Sequence, residues 1–166
     1  LFTLNEPDRL NGTTQPMKRD LVEALLQAQM DDGVRVVVIT GSGRAFCSGG
    51  DGRDIIGRLV DMPHHEVLAF TRMTGELIAN MRRLEKPIIA AVNGTAAGAG
   101  AVIALASDLR VLAEGAKLAF LFTKVGLTGA DLRAGFLLPR TFRHRRAAEL
   151  LLLGDAIDAP TSDRFG

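Results

Sequence analysis

The chain has 166 residues, 47% apolar and 23% charged, a composition that suits one soluble domain able to bury a core without staples. Twenty basic residues offset nineteen acidic ones to a net charge of +1, which leaves no field for nucleic acid or an anionic membrane. A single cysteine, Cys47, excludes an internal disulfide and a cysteine-based zinc site, and suits a reducing compartment.

In chain order, Leu1 to Leu4 reads as the end of a strand. The opening "LFTLNEPDRLNG" has no basic region followed by an apolar one, so no signal peptide is visible and a cytoplasmic location is expected. Met17 to Met30 carries apolar residues at 17, 21, 22, 24, 25, 28 and 30, close to helical spacing. "VRVVVIT" (Val34 to Thr40) is a β-branched run of the kind found in buried parallel strands. The loop "GSGRAFCSGGD" follows, then a helical pattern from His65 to Leu84, stopped by Lys86-Pro87.

"PIIAAVNG" is a second buried strand, and the apolar run after it a helix too short, with its two glycines, to span a membrane. "DLRVLAE" is a third strand, and Leu132 to Leu138 and Phe142 to Leu153 are further helices. Strands and helices thus alternate without a repeat or a low-complexity linker, an α/β layout with a mostly parallel sheet in one domain, residues 1–166.

Function in such sheets collects in loops leaving the carboxyl ends of strands. Two loops here are rich in small residues, "GSGRAFCSGGD" and "NGTAAGAG", and each leads from a strand towards a helix. Neither completes a phosphate motif: the Gly-Lys-Ser/Thr ending of a Walker loop is missing, and the glycine spacing does not match a dinucleotide fingerprint. Two readings stay open on the residues alone. Gly and Ala permit tight helix–sheet packing, or they let a ligand touch main-chain N–H groups that together stabilise an oxyanion.

"GRAFCSGGD" followed by "KPIIAAVNGTAAGAGAVIALASDLRV" resembles the crotonase superfamily, the enoyl-CoA hydratases and isomerases. "LFTLNEPDRLN" is similar to that family's opening strand, and "VGLTGADLRAGFLLPR" to its third block, so the likeness runs along essentially the whole chain. The resemblance implies a crotonase-like ββα spiral core, mostly parallel sheets flanked by helices, ending before the family's usual C-terminal helical region. It implies an acyl-CoA thioester as substrate, no metal, and no cofactor beyond the coenzyme A that the substrate carries. A homotrimer or hexamer is the assembly it implies.

Carried over residue by residue, the thioester oxygen is held by the N–H groups of Gly50 and Ala99, with Gly49 and Gly98 beside them. Ser48 and Leu10 match positions against the adenine of CoA. Arg9 and Arg53 stand where they can meet CoA phosphates, although a solvated surface role suits each as well. Typical hydratases hold a water between two glutamates, and the matching positions are Val102 and Phe122, neither of which can serve as acid or base. Asp131, eight residues before Pro139, matches a catalytic Asp of some isomerase and dehalogenase members. It equally suits an N-cap for the helix that follows.

The remaining polar residues read as structural or as surface. Asp51 suits a short helix cap and Asp108 a strand start, and His64, His65 and the run Arg143 to Arg146 suit solvent. Cys47 suits a small buried thiol, because no partner base can be named for it.

Overall fold

The computed structural model describes residues 1–50, 61–129 and 131–166. Four parallel strands make the first sheet, in the order β1 (Phe2–Leu4), β2 (Val37–Gly41), β4 (Ile88–Val92), β6 (Leu109–Leu112). The β-branched run therefore enters the ladder three residues late, at Val37, because Val34 is held in a turn by Asp31. In both central strands burial alternates, with Val37 and Ile39 paired to Ile88 and Ala90 and all four inside.

A second sheet has the order β3 (Ala45–Cys47), β5 (Thr95–Ala97), β7 (Lys117–Ala119), β8 (Ala156–Asp158). Its first three strands are parallel and β8 closes it antiparallel. Three strands of the first sheet run directly on into strands of the second: β2 to β3, β4 to β5, β6 to β7. The chain is thus a repeated strand–strand–helix unit wound between two sheets, the spiral that the family resemblance implied.

The simple strand–helix alternation without a repeat is corrected here. "AFC", "TAA" and "KLA" are three residues each and built largely from small side chains, too short to show a period of two.

Helix α1 (Gln15–Met30) starts where the Thr14 hydroxyl accepts from Met17 N–H (3.3 Å), with Pro16 in its first turn. Helix α2 (His64–Arg83) ends before Pro87 and buries Leu77, Ile78 and Met81. Helix α3 (Ala99–Ala106) is apolar all round and all eight of its residues are buried, so it threads the core. Its second residue, Gly100, packs on β3: a side chain there would collide with the Cys47 carbonyl.

Helix α4 (Ala134–Leu153) is one run broken at Arg143 (φ 62°, ψ 155°), which places the expected boundary between two helices at the arginine run. Helix α5 (Ala159–Phe165) follows β8, capped by the Asp158 carboxylate. No helix of the described residues is long and apolar enough to cross a membrane.

Candidate active site

Two segments far apart in sequence are stitched together at the carboxyl end of β3. Ser48 N–H donates to the Leu10 carbonyl (2.9 Å), Thr13 N–H to the Gly49 carbonyl (2.7 Å), and the Ser48 hydroxyl to the Arg9 carbonyl (3.3 Å). Asn11, fully buried, sends its amide to the carbonyls of Ser42 and Ala45 (2.9 Å each) and accepts Glu6 N–H (2.9 Å). A buried amide must find such partners or cost stability, so these bonds fix the loop "RLNG" against "FCSGG".

Ser48, Gly49 and Leu10 are thereby brought together, with Arg9 exposed beside them. Asn11 is a residue that sequence reasoning missed. Arg53 and Asp51 lie outside the described residues.

The second small-residue loop presses on the first, backbone to backbone. A β-carbon on Gly49 (φ 92°) would stand 2.7 Å from the Ala97 carbonyl oxygen and 3.3 Å from Ala99 N. Gly98 adopts φ 50°, ψ −117°, a conformation open to glycine, and its N–H donates to the Ala119 carbonyl (2.8 Å). The next residue, Ala99, is the first of α3, so its N–H has no partner within the helix and sits at the positive end of the helix dipole.

A cavity of about 150 Å³ opens on these loops. Ser48, Gly49, Gly50, Gly98 and Ala99 form one part of its wall, and Phe70, Thr71 and Thr74 of α2 another. Leu121, Phe122, Val125, Leu127, Asp131 and Leu132 complete it, together with Lys18 of α1. A larger open cleft beside β1 and α1, about 460 Å³, is lined by none of the residues expected at the site.

The two positions expected to be acidic in a hydratase differ in their surroundings. Phe122, 3% exposed, lines the cavity beside Gly98, whereas Val102 is buried inside α3 and does not line it. Asp131 does line it, and its carboxylate accepts Leu132 N–H (2.9 Å). The capping role is corrected: α4 starts at Ala134, its N-cap is Arg133, and no side chain caps it. The intervening Leu132 and Arg133 take left-handed backbone angles, which detaches Asp131 from the helix and leaves it at the cavity wall.

Lys18 is the charged residue that sequence reasoning missed. It is 4% exposed, its ammonium donates to the Thr74 hydroxyl (3.4 Å) and lies 5.0 Å from the centroid of Phe70. Burial lowers its pKa, opposed by the charge of Asp131 and the thiol of Cys47. The signal was present in the spacing: Lys18, Leu21, Leu25 and Ala28 form the buried stripe of α1, so a lysine begins an apolar face.

The other polar candidates fall away. Cys47 is fully buried and its thiol is pushed up to about 11, chiefly by burial, which makes it a poor nucleophile. Asp108 accepts Ile88 N–H (2.8 Å) and pairs with Arg82 (3.2 Å), a structural role. His64, His65 and Arg143 to Arg146 are exposed. Among the described residues no group of three His, Cys, Asp or Glu could hold a metal.

The family model for enoyl-CoA hydratase/isomerase matches residues 1–166. The chain belongs to the enoyl-CoA hydratase/isomerase family. It is 40% identical over 168 residues to the 1,2-epoxyphenylacetyl-CoA isomerase of Escherichia coli, covering 99% of this chain and 63% of that protein. A solved candidate enoyl-CoA hydratase of Streptomyces coelicolor superposes with TM-score 0.94 at 46% identity, over 99% of this chain and 60% of that one. A monofunctional enoyl-CoA isomerase of M. smegmatis gives 0.79 at 36% identity, over 99% and 67%. Against these hydratase/isomerase family relatives the chain spans roughly two thirds of their length or less.

Proposed function

We propose that this chain carries the reactive core of an acyl-CoA enzyme that stabilises a thioester enolate and moves protons with Asp131, an isomerase-like member of its family. The observation that carries this reading is one cavity holding both small-residue loops and a carboxylate: Gly50, Ala99 and Asp131 all line it.

A thioester α-carbon is a weak acid, and losing its proton places negative charge on the carbonyl oxygen. Two N–H groups fixed beforehand at that oxygen, from Gly50 and from Ala99 at the start of α3, stabilise the charge as it develops. Ala serves at the second position as well as Gly, because the donor belongs to the backbone. The Asp131 carboxylate takes the α-proton and returns it to a carbon further along the acyl chain. Phe70, Phe122, Leu127 and Leu132 keep that exchange away from bulk water.

Hydration by a glutamate-held water is not the reaction this site supports. Phe122 replaces one acid in the cavity, and Val102 is buried out of reach of it. In the same proposal CoA lies along Ser48, Gly49 and Leu10, its phosphates within reach of Arg9 and Arg53, and enters as part of the substrate. The assembly is a homotrimer or hexamer in the cytoplasm.

The missing glutamates also favour a second reading, a protein that binds acyl-CoA or a protein partner without turnover. Exchange of acyl-CoA α-protons into deuterated water separates the two. Exchange that falls by 10²-fold or more in Asp131→Asn supports the enzyme and its base. Exchange untouched by the substitution removes Asp131 from the mechanism. Binding with no exchange in the unsubstituted chain establishes the non-enzyme reading.

A further inference from the structure

Lys18 is an ammonium inside an apolar wall. Its Nζ has three N–H donors, and among the described residues it makes one hydrogen bond, a long one to the Thr74 hydroxyl (3.4 Å). That hydroxyl is already committed to the Phe70 carbonyl (2.9 Å). Asp131 lines the same cavity, yet no ion pair joins the two within 4.0 Å among the described residues. A buried ammonium with donors to spare costs stability unless something accepts from it. The open space beside it is the cavity that holds the reacting acyl group in the function proposed above.

We propose that Lys18 is a specificity-determining residue that selects acyl groups bearing an accepting oxygen, a carboxylate or a carbonyl, beyond the thioester. The proposal rests on the acyl-CoA reading of this cavity. The apolar part of the wall supports it by contrast: Phe70, Phe122, Leu127 and Leu132 suit a hydrocarbon chain, and beside Thr71, Thr74 and the Asp131 carboxylate Lys18 is the one cation among the lining residues described. Burial disfavours the charged form of Lys18, and an anionic or dipolar acyl oxygen brought against it restores that form, so the preference strengthens when ligand is bound. Selection of this kind is steep, since a ligand lacking the oxygen leaves the buried donors unpaired.

Three four-carbon thioesters test it: butyryl-CoA, acetoacetyl-CoA and succinyl-CoA, which share every CoA contact. Dissociation constants measured calorimetrically should show at least one oxygenated thioester bound about tenfold or more tighter than butyryl-CoA. In Lys18→Met, which keeps most of the side chain's length and removes the charge, the difference should collapse, the oxygenated thioester binding less tightly and butyryl-CoA at least as tightly as before. Equal binding of all three to the unsubstituted chain overturns the proposal without recourse to a variant. So does a preference that persists in Lys18→Met. If none of the three binds, the acyl-CoA reading itself fails, a result distinct from either.

Discussion

Gly49 and Ala97 approach so closely that a β-carbon on Gly49 would stand 2.7 Å from the Ala97 carbonyl oxygen. That contact joins the two small-residue loops, and the backbone of Gly49 meets it at φ 92°. Gly49→Ala should therefore destabilise the chain by about 1–3 kcal/mol through strain and displacement together. Thermal unfolding reads the loss, and acyl-CoA binding should weaken in parallel because Gly49 and Gly50 share a loop.

Asn11 makes a separate prediction about how that loop is held. Its amide satisfies the Ser42 and Ala45 carbonyls from a fully buried position. Asn11→Ala removes the partner of the Ser42 carbonyl and of Glu6 N–H and leaves Ala45 with the longer bond from Asn93 (3.3 Å), at a cost of about 1–3 kcal/mol. Urea unfolding should show a lower midpoint at unchanged slope.

The start of α3 allows a backbone donor to be removed at little structural cost. Proline is favoured at the first position of a helix, and Ala99 occupies it. Ala99→Pro should keep the circular dichroism of the parent, with a modest loss of stability because Gly98 (ψ −117°) then precedes a proline. Its kcat/KM should fall on the order of 10²–10³-fold, the usual result of losing one oxyanion donor.

Cys47 gives a pH prediction whose sign can be worked out. Its thiol is raised from 9.0 to about 11 by burial, so the folded chain holds that proton more tightly than the unfolded one. The stabilising contribution is whole below about pH 9 and is lost as pH rises towards 11. Cys47→Ala should show a shallower alkaline loss of stability than its parent. The native thiol should also resist alkylation at pH 8 and react once the chain is unfolded.

Much of this was legible in the residues. The buried strands around Ile39 and Ala90 announced themselves by β-branched and apolar runs, and the two small-residue loops by composition. The second sheet was not legible, because "AFC", "TAA" and "KLA" are too short for alternation to show. Asp131 was open to two readings in sequence; the left-handed turn at Leu132 and Arg133, invisible in composition, places it at the cavity. Lys18 stood in plain sight on the Leu21–Leu25–Ala28 stripe, where a single lysine is easily taken for the polar edge of a helix.

The central claim is that the main-chain N–H groups of Gly50 and Ala99 hold one thioester oxygen beside Asp131. A crystal structure with a non-reactive acyl-CoA analogue tests it most directly. The account predicts the thioester oxygen at about 2.7–3.1 Å from both nitrogens, with the Asp131 carboxylate facing the α-carbon. An analogue whose thioester lies outside this cavity, or whose oxygen contacts neither nitrogen, would contradict it.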